Sequence, residues 1–322
     1  MEIISQERIR AAIHIEDAVA AIEDGFRAYS AGRVVVPPVG YLGFESPPGD
    51  CHIKYGYIRG DETFVIKVAT GFYDNPARGL GSSNGFVVVM SAQTGEPLTL
   101  LDDGGHLTDL RTAIAGLVAA KYLAPRRPKC IGIVGTGIQA RLQLELLMGH
   151  YGSTPVRVWG RDRRKAAAFI ANTTTAGNDT ALAETLPGLC ADCDLIVTTT
   201  ASTRQLISVD WVRAGTHITA VGADAKGKQE LDPALFERAD ICAVDSVAQC
   251  VDHGETSHAV AAGRIEAGKL VELGALIDGR AAGRSSPGQI TIADLTGLAV
   301  QDICIAQHVL RRVRGSAERH KV

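Results

Sequence analysis

The chain has 322 residues, a net charge of −3 at neutral pH, 46% apolar and 21% charged residues. That composition is globular and long enough for two domains with full cores, and so mild a charge gives no reason to expect nucleic acid or an anionic membrane as partner. The seven cysteines are odd in number and scattered through apolar runs, which suits reduced thiols in a cytoplasm, and neither an apolar leader nor an uncharged run of membrane-spanning length is present.

Taken from the N-terminus, residues 6–31 predict a helix, with Ile13, Ala18, Ala21, Ile22 and Phe26 at helical spacing and Gly32 as its stop. A β-rich region follows, with strands expected at 41–44, 51–58, 63–70 and 85–91 and turns at 46–50 and 93–96. Leu110, Ile114, Leu117 and Val118 line one face of a helix over 108–123, which Ala124-Pro125 ends.

The stretch from Pro128 to Leu147 organises the rest. An apolar run, Cys130 to Val134, has the length and branching of a buried parallel strand. Gly135, Gly137 and Ala140 then stand in G-x-G-x-x-A spacing, followed by a helix from Gln139 with Leu142, Leu144, Leu146 and Leu147. Glycines there allow a tight turn and a close backbone approach to a pyrophosphate, and the helix N-terminus points its N–H groups at the phosphates. The next strand, 156–159, ends at Gly160-Arg-Asp-Arg-Arg164, where an NAD enzyme usually has an acidic residue for the ribose diol. Arg161 at that place suits a 2′-phosphate and favours NADP(H) over NAD(H). The plainer alternative is that these charges only start the next helix, with Asp162 as its N-cap.

Further strands at 195–199, 217–221, 241–244 and 290–293 alternate with helices, which predicts an α/β fold with a doubly wound parallel sheet of the Rossmann type. A last helix over 297–314 runs back toward the first domain, with a frayed basic tail after Val313. Candidate cofactor residues are Gly135, Gly137, Ile138, Gln139 and Arg161, together with Thr199, Val221, Gly222, Thr296 and Gly297 at carboxyl ends of strands, where ligands of such sheets bind.

Three residues invite chemistry outside this loop. Lys67 interrupts an apolar strand and is either a snorkelling surface residue or a buried lysine whose lowered pKa serves acid–base work. Arg111, near the start of its helix, either pairs with Asp102, Asp103 or Asp109 or clamps a substrate carboxylate. Asp224 follows a strand in Gly222-Ala-Asp-Ala-Lys-Gly-Lys228, as a turn residue or as a ligand-facing acid. His253 and His258 lack metal-ligand spacing, Cys190-Ala-Asp-Cys193 has no second pair, and no metal is expected.

Taken together, Lys67, the segments Asp74-Asn-Pro-Ala-Arg-Gly-Leu80, Leu107-Thr-Asp-Leu-Arg-Thr-Ala113 and Ala119-Ala-Lys-Tyr-Leu-Ala-Pro125, the loop at Gly135, the Gly222–Asp232 stretch and Asp294-Leu-Thr-Gly-Leu-Ala-Val-Gln-Asp302 resemble the ornithine cyclodeaminase/mu-crystallin family nearly end to end. That family includes archaeal alanine dehydrogenase and several imine reductases. The resemblance implies a homodimer, a substrate and dimerisation domain of α+β type over 1–124 completed by 303–322, and a Rossmann domain over 125–302. Position by position it implies Lys67 as the active-site lysine and Arg111 as the carboxylate-binding arginine. It likewise implies Asp224 as the acid/base aspartate, Ser82 as a cofactor-contacting hydroxyl, and Lys228, Thr296 and Gly297 near the nicotinamide. The cyclodeaminases carry a second basic residue where this chain has Val39, so the carboxylate clamp is expected to be either weaker or completed by His52 or Lys54. The expected reaction is NAD(P)H-dependent reduction of a small 2-imino acid. Redox-neutral ornithine cyclodeamination with NAD and cofactor-dependent ligand binding of the mu-crystallin kind are the alternatives.

Overall fold

The computed structural model describes residues 1–72, 74–173 and 179–319, with side chains to residue 315. The chain forms two compact units, Met1–Arg111 with Leu298–Val322, and Thr112–Gly297.

The first unit is built on a mixed sheet with strand order Glu2–Ser5, Pro97–Asp102, Ser83–Ser91, Thr63–Phe72, Pro48–Ile58, Val34–Val35, and with Gly40–Glu45 also pairing Pro48–Ile58. Three of these strands escape the sequence reading, Val34–Val35 being only two residues long. Glu2–Ser5 is four residues long, too short for an alternation to show, and it pairs in parallel with Pro97–Asp102. Pro97–Asp102 starts on a proline, which a strand accepts only at its first position or at an edge.

The expected helix over 6–31 is two helices, Gln6–Ala12 and Ile15–Ser30, with Ile13 and His14 in extended conformation between them. At 100° per residue a continuous helix would turn Ile9 away from the stripe of Val19, Ile22 and Phe26. The break lets all four be buried. The last helix, Ala299–Arg319, runs five residues beyond the expected end, and the tail after Arg319 lies outside the described residues.

The second unit holds an eight-stranded sheet in the order Thr180–Leu182, Val156–Trp159, Ile131–Val134, Leu195–Thr198, His217–Ala220, Thr291–Asp294, Ile241–Val244, Val271–Glu272, and every pairing is parallel. Four central strands are buried throughout, as a sheet covered on both faces requires. Order reverses between Ile131–Val134 and Leu195–Thr198, which makes the carboxyl ends of those two strands the switch point of a Rossmann sheet.

Candidate active site

The first unit concentrates charge in its interior. On strand Thr63–Phe72 the residues Val65 and Lys67 share one face by the two-residue period, and both are buried. Lys67 is therefore no snorkelling residue, being only 2% exposed. Directly across the antiparallel ladder stands Lys54, also buried, and on the other side Val87.

Two lysines opposite each other repel unless an anion intervenes. That anion is Asp302, in the first turn of helix Ala299–Arg319, whose Oδ2 lies 3.4 Å from Lys67 Nζ. Its Oδ1 accepts a 3.0 Å hydrogen bond from Arg111 Nε, and Gln301 Oε1 accepts one of 2.7 Å from Arg111 Nη1. The helix-start partners expected for Arg111 (Asp102, Asp103 and Asp109) are thus replaced by residues 190 and 191 positions away. A guanidinium this deeply buried needs a carboxylate at its own depth, and Asp302 is as buried as Lys67.

The charge balance moves the proton equilibria. Burial lowers the Lys67 pKa from 10.5 to about 7, with Asp302 resisting and Arg111 and Lys54 adding to the fall. For Asp302 burial alone would raise the pKa, but Arg111, Lys67 and Lys54 hold it below its ordinary value. Asp103 lies near enough for Lys67 to pull its carboxyl down, yet burial dominates and raises it.

Of the other expected substrate residues, Lys54 joins this cluster. His52 faces Asp50, at 3.8 Å, and packs edge-on against Tyr41 with ring centroids 5.2 Å apart. Ser82 sits just before strand Ser83–Ser91, its carbonyl accepting from Phe72 N at 2.8 Å.

In the second unit the glycine loop has the form a dinucleotide needs. Gly135 has φ 127°, reserved in practice for glycine, and a Cβ there would collide with Thr199 Oγ1, which itself donates to Val134 O at 3.2 Å. Gly137 is the N-cap of helix Ile138–Tyr151, and a Cβ built on it meets nothing within 4 Å. Ala140 is fully buried, as the close helix–strand packing requires, while Ile138 stays exposed and Gln139 follows it in the first turn. The loop borders a pocket of about 410 Å³ lined by Thr136, Gly137, Ile138, Arg141, Lys165 and Phe169 among others. An open approach to backbone N–H groups at a helix N-terminus fits a dinucleotide pyrophosphate.

At the end of strand Val156–Trp159, Asp162 is the N-cap, accepting from Arg164 N at 2.9 Å and Lys165 N at 3.2 Å. Arg163 is ion-paired with Glu184. Arg161 remains exposed at the strand end.

Buried carboxylates that sequence reasoning missed tie the strand-end loops together. Glu230 accepts from Thr200 N at 2.6 Å, Gly222 N at 2.9 Å and Thr198 Oγ1 at 2.8 Å, and so fixes the loops that carry Thr199, Val221 and Gly222. Asp245 accepts from Gly297 N at 2.7 Å and Thr296 Oγ1 at 3.2 Å. For Asp245 the signal was an acidic residue just past the apolar run Ile241–Val244, a place where burial demands several donors, whereas Glu230 lies in a polar stretch that gives none. Asp224 and Lys228 form a 2.6 Å ion pair, and His258 Nε2 lies 2.8 Å from the Lys228 carbonyl, a backbone role for that histidine. Cys193 meets Cys130, sulfur to sulfur at 3.3 Å, and not Cys190.

The ornithine cyclodeaminase/mu-crystallin family model matches residues 1–317. An uncharacterized cyclodeaminase of Sinorhizobium fredii is 40% identical over 316 residues, 97% of this chain and 96% of that protein. A solved archaeal alanine dehydrogenase dimer with bound NAD superposes with a TM-score of 0.90 at 33% identity, over 98% of this chain and 97% of the other. The iminosuccinate reductase of Paracoccus denitrificans, solved with NAD+, gives 0.89 at 33% identity and the same coverage. With its fold, its glycine loop and its whole length matched in this way, the chain belongs to the ornithine cyclodeaminase/mu-crystallin family.

Proposed function

We propose that this NAD(P)-dependent oxidoreductase reduces a small 2-imino acid to the corresponding 2-amino acid. The observation that carries the reading is Lys67, a fully buried lysine with a pKa of about 7, grouped with a buried Arg111 around one carboxylate. A lysine half-protonated near neutrality is matched to passing a proton at physiological pH. When bound, the nicotinamide dinucleotide supplies the hydride.

The chain's own residues do the rest. Arg111, its plane fixed by Asp302 and Gln301, binds the substrate carboxylate, with Lys54 as the second cation that Val39 does not provide. His52, engaged with Asp50 and Tyr41, is the weaker candidate for that place. Lys67 donates a proton to the imine nitrogen, and the resulting iminium carbon accepts hydride far more readily than the neutral imine. Asp224 is assigned as the second proton-handling group, and Lys228 is its partner.

One imine, one proton and one hydride give one amine. Gly135, Gly137, Ile138, Gln139, Thr199, Val221, Gly222, Thr296, Gly297 and Ser82 are assigned to the dinucleotide, and Arg161 to a 2′-phosphate, so NADP(H) is the proposed cofactor. A homodimer is proposed as well. Tyr41, Leu42 and Phe44 are 60%, 57% and 45% exposed on strand Gly40–Glu45, an apolar strip of a kind that usually meets a partner.

The test is oxidation of NADPH and NADH with pyrroline-2-carboxylate, piperideine-2-carboxylate, iminosuccinate precursors, and pyruvate with ammonia. Proline release from ornithine without added reductant is measured beside it. Imine reduction should exceed ornithine turnover at least tenfold in kcat/KM, because a misplacement of the substrate carboxylate by about 1 Å costs on the order of a hundredfold and cyclodeamination relies on that anchor twice. Efficient proline release with no net cofactor oxidation overturns the proposal.

A further inference from the structure

Asp302 contacts Lys67 and Arg111 and feels the charge of Lys54, and beyond fixing Arg111 it has been given no part in the proposed chemistry. Lys54, Lys67 and Arg111 are 7%, 2% and 4% exposed, and Asp302, the carboxylate grouped with them, is 2% exposed. Groups face Lys67 from each element packed against it: Lys54 from strand Pro48–Ile58, Asp103 from the end of strand Pro97–Asp102, Arg111 from helix His106–Leu123 and Asp302 from helix Ala299–Arg319.

A cluster made for stability alone would not gather three cations at this depth, since well-packed apolar side chains of similar volume serve as well or better. The two oxygens of Asp302 are also used differently. Oδ1 makes a 3.0 Å hydrogen bond to Arg111 Nε, whereas Oδ2 stands 3.4 Å from Lys67 Nζ. The second distance exceeds the roughly 2.7–2.9 Å of a charge-assisted hydrogen bond, so the attraction there is mainly charge on charge. Lys67 thus gains a compensating charge without a tight clamp on its ammonium.

We infer that Asp302 is a positioning residue for the reduction proposed above: through Oδ2 it keeps Lys67 able to hold a proton, and through Oδ1, with Gln301, it fixes the Arg111 guanidinium for a carboxylate. The inference rests on the imine-reductase reading for its purpose but not for its test. It goes beyond that reading by making one carboxylate, at the start of the last helix, set both the proton donor and the anion clamp.

The experiment follows the Lys67 titration by NMR in protein carrying lysine labelled with ¹³C at Cε, with Lys67→Arg to assign the resonance. The parent should titrate near pH 7. Asp302→Asn should lower that midpoint by about 1–3 units, the size of effect a neighbouring opposite charge has. It should also displace the pH profile of kcat/KM by the same amount. An unchanged midpoint in a folded Asp302→Asn protein overturns the inference.

Asp302→Glu keeps the charge and moves it by one methylene. It should leave the midpoint within about half a unit while weakening pyruvate binding, read from the same Lys67 resonance, at least tenfold. Should Asp302→Asn not fold, Asp302→Glu decides alone, and any other combination of midpoint and affinity overturns the inference. If no imine is reduced by the parent protein, the functional reading falls, and the NMR titration still decides the role of Asp302.

Discussion

At the scale of single residues, Lys67 shows how much environment changes a side chain. The same residue type on a surface strand would hold its proton to a pKa of 10.5, and here burial brings it to about 7. Replacement by alanine removes the proposed proton donor and one cation while leaving an adjacent arginine to neutralise Asp302. Lys67→Ala is therefore expected to fold and to bind the dinucleotide, and to lose about 10²–10⁴ in kcat/KM, the usual worth of a positioned acid–base group. Steady-state kinetics beside a dinucleotide titration checks this, and a variant keeping a third of the parent kcat would show that Lys67 handles no proton. The cysteines give the opposite lesson. Cys190 and Cys193 have a suggestive spacing, yet both are fully buried, burial raises the Cys190 thiol to about 11, and Cys193 lies against Cys130 in the core.

At the scale of elements, the turn from strand Ile131–Val134 into helix Ile138–Tyr151 separates two requirements that G-x-G spacing lumps together. Gly135 answers to the protein, because its φ of 127° and the crowding by Thr199 leave no room for Cβ. Gly137 answers to a ligand, because its φ of −85° suits any residue and the space beside it is open. Gly135→Ala should then destabilise the fold by about 1–3 kcal/mol, seen as a lower melting temperature without any ligand. Gly137→Ala should melt like the parent and bind the dinucleotide at least tenfold more weakly. Equal melting losses for both would refute this division.

The end of strand Val156–Trp159 carries a second expectation at this scale. Asp162 is engaged as a helix cap and Arg163 by Glu184, while Arg161 is exposed directly after the strand. Arg161→Ala should weaken NADPH by roughly ten- to a hundredfold, the worth of one charge-assisted phosphate contact of about 1.5–3 kcal/mol, and NADH by much less. Equal losses for the two cofactors would remove Arg161 from the 2′-position.

At the scale of the whole molecule, the two units carry buried ionisable groups of opposite pH response. In the unit Thr112–Gly297, burial raises Glu230 from 4.5 to about 7, Asp294 from 3.8 to about 7, and Glu255 well above its ordinary value. Folding favours their protonated forms, so their contribution to stability is complete below pH 4 and is lost as pH climbs to 7. His217 works against them, since burial lowers it to about 3 and its contribution is lost as pH falls below 6.5. Three carboxyls against one imidazole leave a net decline between pH 4 and 7. In the other unit, folding favours neutral Lys67, whose contribution is lost as pH falls from 10.5 toward 7, so stability there rises with pH above 7. Hydrogen exchange resolved by segment checks this. Amides of strand His217–Ala220 should lose protection from pH 4.5 to 7 after correction for intrinsic rates, and those of strand Thr63–Phe72 should gain it from pH 7 to 8.5. A parallel response of both segments would sink the assignment. Among the described residues no helix is long and apolar enough to cross a membrane.

Features written in a local period, or in a residue with few conformational alternatives, can be read along the chain. Four-residue strands were legible to the residue, Ile241–Val244 as a continuous apolar run between polar turns and Val156–Trp159 as an alternation in which Val156 and Val158 are buried. The glycine loop was legible because left-handed backbone excludes side chains, and Lys67 because a charge in an apolar strand is conspicuous. Where that charge goes and what meets it follow from folding in three dimensions. Asp302 lies 191 residues from Arg111, and nothing along the chain marks it, since its surroundings are three cations brought to it by separate strands and a helix. The strand Glu2–Ser5, the break at Ile13 and His14, and the Glu230 and Asp245 loop ties were hidden for the same reason. Charge compensation and edge pairing act through space, and they leave no period along the chain.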